Sequence, residues 1–307
     1  TVMCEPSPTR QWFIGVYHKT GTLLWRSIFK KLMSDGLQVL RSDFGWLCDK
    51  TTPYVPPIHD GPPHGMITMW NDARVASASE IDELATWSRD AEAKEARFVL
   101  FVRDPLEIVM SGYFYHLHAT EEWLLRPIGT PRSGLMPLFW ALDVDCPVDR
   151  RALSGDASSK AACAAVQRSR ANESLCYQDL LNSVDPALGV ALEAVRALTE
   201  IRAINRTVAL LRSRRDVRVF DLDAVVADAN AYREQFQDIF AFLGAVDLNA
   251  CVDVAREFDV NENTQAGEGH AMSQEFEAMR AELTAVFKYN AWFTAVLEPL
   301  RRDLGYS

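Results

Sequence analysis

The chain has 307 residues, 48% of them hydrophobic and 24% charged, with 42 Asp and Glu against 32 Lys and Arg and a formal charge of −10. That composition supplies a full core and excludes disordered, fibrous and disulfide-stapled miniprotein classes. The acidic balance argues against a protein whose whole surface meets nucleic acid or anionic membrane, although it leaves room for a local anion site. No apolar run approaches the ~18 residues of a membrane span, and Phe98-Val-Leu-Phe-Val102 is closed by Arg103.

The run Trp12-Phe-Ile-Gly-Val-Tyr17 reads as a strand, and the pattern Leu23, Leu24, Ile28, Leu32 after Gly21 reads as a helix. Weaker strands are expected at Leu37–Leu40 and Met66–Met69. Between them the five prolines from Thr51 to Gly65 forbid regular structure. A buried strand is expected at Arg97–Val102, then a helix opened by Pro105 and Glu107. Residues 126–171, rich in Pro, Gly, Ser and Ala, read as an insertion or lid. Asp185 is a fitting N-cap for a long helix from Pro186 to about Arg214. The last strand expected is Val217–Phe220, ahead of a helix from Tyr232 to Leu243 that stops at Gly244. Strands alternating with helices predict an α/β fold with a parallel sheet covered on both faces.

Two segments carry chemistry. Tyr17-His-Lys-Thr-Gly-Thr22 joins a strand end to a helix start, where unpaired amides and the helix dipole favour an anion and Lys19 adds a cation. The plainer reading is an ordinary strand–helix turn with an exposed lysine. A nucleoside-triphosphate loop would read GxxxxGK[ST]; here Lys19 precedes Gly21, so ATP and magnesium chemistry loses ground. The second segment is Arg103-Asp-Pro followed by Ser111. It places a guanidinium at a strand's carboxyl end and a hydroxyl about two turns into the next helix, a pair suited to one phosphate. Its plainer reading is an Arg103–Asp104 pair capping that helix.

Together, His18-Lys-Thr-Gly-Thr22 and, about 80 residues on, Arg103-Asp-Pro with Ser111 eight positions later resemble the sulfotransferases that use 3′-phosphoadenosine 5′-phosphosulfate (PAPS). The context Ser111-Gly-Tyr-Phe-Tyr-His116 with Glu121-Glu-Trp123 is similar to the carbohydrate-type and algal or protist branches. The resemblance implies a P-loop-like three-layer sandwich: a central parallel sheet of about five strands in one domain over 1–307, with 126–215 as a helical acceptor-side insertion. It implies that His18, Lys19, Thr20, Gly21, Thr22 and Leu23 hold the 5′-phosphosulfate, with Lys19 also catalytic, and that Arg103 and Ser111 hold the 3′-phosphate. Gly267-Glu-Gly-His-Ala-Met-Ser273 occupies the place of the family's closing loop without its basic Arg-Lys-Gly form, which makes Gly269 and His270 candidate nucleotide contacts. PAPS is then co-substrate and 3′-phosphoadenosine 5′-phosphate (PAP) the product. No metal is expected, in keeping with six cysteines that form no CxxC pair and no zinc-spaced cluster.

A base must reach the acceptor proton to within about 3 Å. Asp43 and His64 rank first, because members of the family place a Glu or His after an early strand, and Asp72 follows. If the helix persists that far, His118, seven residues past Ser111, falls on nearly the same helical face, whereas His116 does not. Six tryptophans, Trp46, Trp70, Trp87, Trp123, Trp140 and Trp292, read as packing residues, and Cys163 could pair with Cys176. The net charge points to a neutral glycan, a lipid or a small alcohol or amine as acceptor, with no nucleic-acid partner. Rival readings are a P-loop-like nucleotide-dependent kinase and a catalytically silent nucleotide-binding homologue. The start at Thr1 suggests a trimmed N-terminus, and the sequons at Asn172 and Asn205 permit a secretory lumen, leaving cytoplasm and Golgi lumen open.

Overall fold

The structure is a computed structural model. It describes residues 4–7, 10–17, 19–35, 39–42, 67–71, 77, 79, 82, 95–127, 175–262, 274–288 and 293–306. The Pro-rich run 51–65, most of the expected insertion, Cys163 and the side chains of the six tryptophans named above lie outside the described residues. The chain divides into two compact units, one formed by Thr1–Arg103 with Ala203–Ala271 and the other by Asp104–Arg202 with Met272–Ser307.

The first unit holds the sheet. Its strands are β1 (Arg10–Val16), β2 (Val39–Ser42), β3 (Ile67–Asn71), β4 (Glu95–Val102) and β5 (Val217–Asp221). They run in the order β2-β3-β1-β4-β5, and every pairing is parallel. The expected parallel α/β arrangement is therefore present, each strand shifted by one or two residues from its apolar run. Helix α1 (Thr22–Ser34) follows β1 directly.

Alternation along the central strands explains their burial. Trp12, Ile14, Val16, Val99, Phe101 and Phe220 face one core, filled by Trp25, Ile28, Phe29 and Leu32 of α1. Phe13, Phe98 and Leu100 point the other way and are buried too, with Phe13 stacked on Phe98 at 4.5 Å. Central strands of a parallel sheet need cover on both faces, and their unbroken apolar runs reflect it.

The second unit is helical in its described residues. It holds α2 (Pro105–His116), α3 (Glu122–Leu125), α4 (Tyr177–Ser183) and the start of α5 (Pro186–Leu211), which continues into the first unit. In the first unit α6 (Leu222–Val225), α7 (Ala229–Leu243) and α8 (Leu248–Arg256) follow β5, and α7 and α8 close the core against Trp25 through Phe236, Phe240 and Cys251. In the second unit α9 (Gln274–Lys288), a π-helical turn (Phe293–Leu297) and α10 (Glu298–Leu304) complete the chain. Gly244 ends α7 in the left-handed region at φ 76°, as its position after the last apolar residue predicts.

Cys4 and Cys251 form a disulfide across 247 positions, tying the N-terminal segment to α8. Cys176, which the sequence left open as a partner for Cys163, is a buried free thiol, and it caps α4 together with Asp179. Closing so long a loop restricts the unfolded chain strongly, so reduction is expected to lower stability by about 2–4 kcal/mol. Thermal melts with and without a phosphine reductant check this; identical midpoints with the thiols shown to be free would contradict it.

Candidate functional site

The strand order creates the site. After β1 the chain turns toward β2 and β3, and after β4 it turns toward β5. The connections therefore diverge at the carboxyl ends of the adjacent strands β1 and β4. Such switch points open a crevice where α/β sheets bind ligands. Both sequence motifs of the first unit fall there, Lys19 to Thr22 after β1 and Arg103 after β4.

The loop after β1 is folded by its own hydroxyls. Thr20, fully buried, accepts a hydrogen bond from the Tyr17 amide at 2.7 Å and donates to the Tyr17 carbonyl at 3.1 Å. Thr22 donates to the same carbonyl at 2.9 Å. Expected among the phosphate ligands, the Thr20 hydroxyl is engaged in shaping the turn. Lys19 sits in the left-handed region at φ 65°, the one non-glycine residue with positive φ among the described residues. That conformation costs about 1–2 kcal/mol for a residue with a Cβ, and such outliers gather at functional sites. Gly21, at φ 100°, needs to be glycine.

Helix α1 starts at Gly21 with no side-chain cap and no acid in its first turn. By contrast α2, α6, α7 and α8 are each capped by an aspartate, Asp104, Asp221, Asp228 and Asp247. The first amides of α1 therefore keep their capacity for an external anion. Leu23, named with this loop, is half exposed at 50%.

Arg103 does not pair with Asp104. Its Nε donates to Asp223 Oδ1 at 2.8 Å, across 120 positions. Asp223 belongs to the corner that follows β5, where Asp221 accepts from the Asp223 amide at 3.1 Å. The same corner meets the loop, since a Cβ on Gly21 would lie 3.4 Å from Leu222 Cδ1. Three chain segments thus converge at one edge of the sheet, and sequence reading named two of them. The signal available for the third was the pair Asp221 and Asp223 directly after an apolar strand.

In the second unit, Asp104 caps α2 through the Leu106 amide at 2.8 Å and is gripped by Arg301 at 2.7 and 2.6 Å. Arg280 pairs with Glu107 one turn on. Ser111 lies partly buried on α2. Helix α2 ends at His116, so the helical spacing that favoured His118 does not hold: His118 is exposed on the following turn.

His116 is fully buried, its Nδ1 lying 3.0 Å from Glu193 Oε2. Glu193 also accepts from Tyr177 Oη at 2.8 Å and from Arg196, whose closest contact is 2.6 Å. Burial alone would raise the Glu193 carboxyl. Arg196 and His116 more than offset it and hold the group well below the usual carboxylate range.

His18, Asp43, His64, Asp72, Gly269 and His270 lie outside the described residues. Among the described residues no group of three or more His, Cys, Asp or Glu is placed to hold a metal, and no helix is long and apolar enough to cross a membrane.

No protein-family model matches the chain, and no curated protein matches it. Among solved structures it is similar to mouse sulfotransferase SULT7A1 complexed with PAP. The identity is 10%, with 97% of this chain and 89% of that one covered and a TM-score of 0.36. A likeness that slight carries no weight in assigning the chemistry.

Proposed function

We propose that this chain is a sulfotransferase of P-loop-like α/β fold that moves a sulfuryl group from PAPS to a hydroxyl or amine. One observation carries the reading: the Lys19–Thr22 loop and Arg103, whose motifs resemble the PAPS sulfotransferases, stand at the carboxyl ends of adjacent strands at the sheet's switch point. The amides that open α1 bind the 5′-phosphosulfate, and Arg103 binds the 3′-phosphate.

In the transfer the acceptor oxygen or nitrogen forms a bond to sulfur as the bond from sulfur to the 5′-phosphate oxygen breaks. The acceptor proton passes to a base, for which Asp43, His64 and Asp72 are the candidates. PAP leaves with its added charge stabilised by Lys19 and the helix amides. Gly269 and His270 are proposed as further nucleotide contacts, and a neutral glycan, lipid or small alcohol or amine as acceptor. The Cys4–Cys251 disulfide favours an oxidising compartment such as a secretory lumen.

A thermal-shift comparison separates this from the kinase reading. PAP is expected to raise the melting temperature, and ATP with magnesium is not. The reverse pattern would overturn the proposal. PAP binding without sulfate transfer to any member of a broad acceptor panel would instead mark a silent homologue.

A further inference from the structure

Arg103 has a partner that no motif names. The Asp221-Leu-Asp223 corner touches both anion-binding elements of the first unit: Leu222 packs at Gly21, and Asp223 holds the Nε of Arg103 at 2.8 Å. Its own geometry is fixed. Asp221 is in register with Val102, the residue before Arg103, and its carboxylate accepts from the Asp223 amide at 3.1 Å. The ion pair is partly open to solvent, with side-chain exposures of 17% and 33%, and at that exposure contributes little to stability. Its consequence is orientation. A guanidinium held at Nε by a carboxylate has its rotation about the side-chain axis restricted. With Nε engaged by the carboxylate, a two-point contact with phosphate would use the edge formed by the two terminal nitrogens.

We infer that the 221–223 corner sets the spacing between the helix-α1 amides and Arg103. Asp223 is then the positioning residue that makes the site selective for nucleotides phosphorylated at both the 3′ and 5′ positions. This rests on the nucleotide reading above and adds to it a determinant of ligand class. Without Asp223 the 5′ end still meets the loop, and the 3′-phosphate loses an aligned partner.

The test is calorimetric titration of wild type, Asp223→Ala and Asp223→Asn with two probes, PAP and adenosine 5′-phosphate. In wild type PAP binds more tightly than the monophosphate. In Asp223→Ala that preference is expected to fall by about tenfold or more, through weaker PAP binding alone. The monophosphate affinity stays the same and the melting temperature stays near wild type. Asp223→Asn, which keeps an acceptor oxygen in place, retains most of the preference. An unchanged preference in Asp223→Ala, or tighter PAP binding once the carboxylate is gone, would overturn the inference and leave the nucleotide reading standing. A wild-type protein that binds neither probe would overturn both.

Discussion

Glu193→Ala is expected to destabilise the protein by about 3–5 kcal/mol, enough to unfold a marginal domain at ambient temperature. Glu193 is fully buried on α5 and accepts from Tyr177, Arg196 and His116. Alanine withdraws a carboxylate that compensates all three groups in surroundings that give little solvation. The contact is also built into the backbone. Gly112 on α2 admits the carboxylate so closely that a Cβ there would lie 2.3 Å from Glu193 Oε1. Urea unfolding followed by circular dichroism measures the loss, and a change under about 1 kcal/mol would remove the network from the stability account.

The network also sets an acid dependence. Glu193 has a lowered folded pKa, so its contribution is complete above the unfolded value and is lost only as pH falls through the folded one. The urea midpoint should therefore hold the full Glu193 contribution above about pH 5 and lose it progressively as pH falls from the ordinary carboxylate range toward the lowered folded value.

Lys19→Gly is expected to separate function from stability. Glycine adopts φ 65° without the Cβ penalty, so the variant should gain up to about 1 kcal/mol after the entropy of glycine in the unfolded chain is counted. Turnover should fall by about 10²–10³-fold, because the cation proposed to meet charge developing on the departing phosphate is gone. A variant both destabilised and fully active would show that the strained lysine serves the loop's shape and not the chemistry. A conformation that costs stability at the position where the charge is needed is a common trade at active sites.

What could be read from the sequence was local. Gly21, Pro105, Asp185 and Gly244 mark helix boundaries through conformational preferences within a turn, and the structure places helix ends beside each. The apolar runs of β1 and β4 were legible because strands buried on both faces need no alternation. Partners distant in the chain were not legible. Arg103 is joined to Asp223 across 120 positions, while Asp104, its neighbour in sequence, pairs with Arg301. Cys4 finds Cys251 across 247 positions, whereas proximity in sequence suggested Cys163 and Cys176. The helix extension on which the comparison of His118 with His116 depended is absent, at a helix end with no glycine or proline to announce it: α2 stops at His116, and the amides of His118 and Ala119 turn back to the Tyr115 carbonyl.

The central claim is that the β1 loop and Arg103 hold the two phosphorylated ends of one small nucleotide. Calorimetric titration of PAP into wild type, Lys19→Ala and Arg103→Ala tests it most directly. Saturable binding at one site per chain is expected in wild type, with affinity reduced by about tenfold or more in each variant. Binding left unchanged by both substitutions, or absent from the wild-type protein, would contradict the claim.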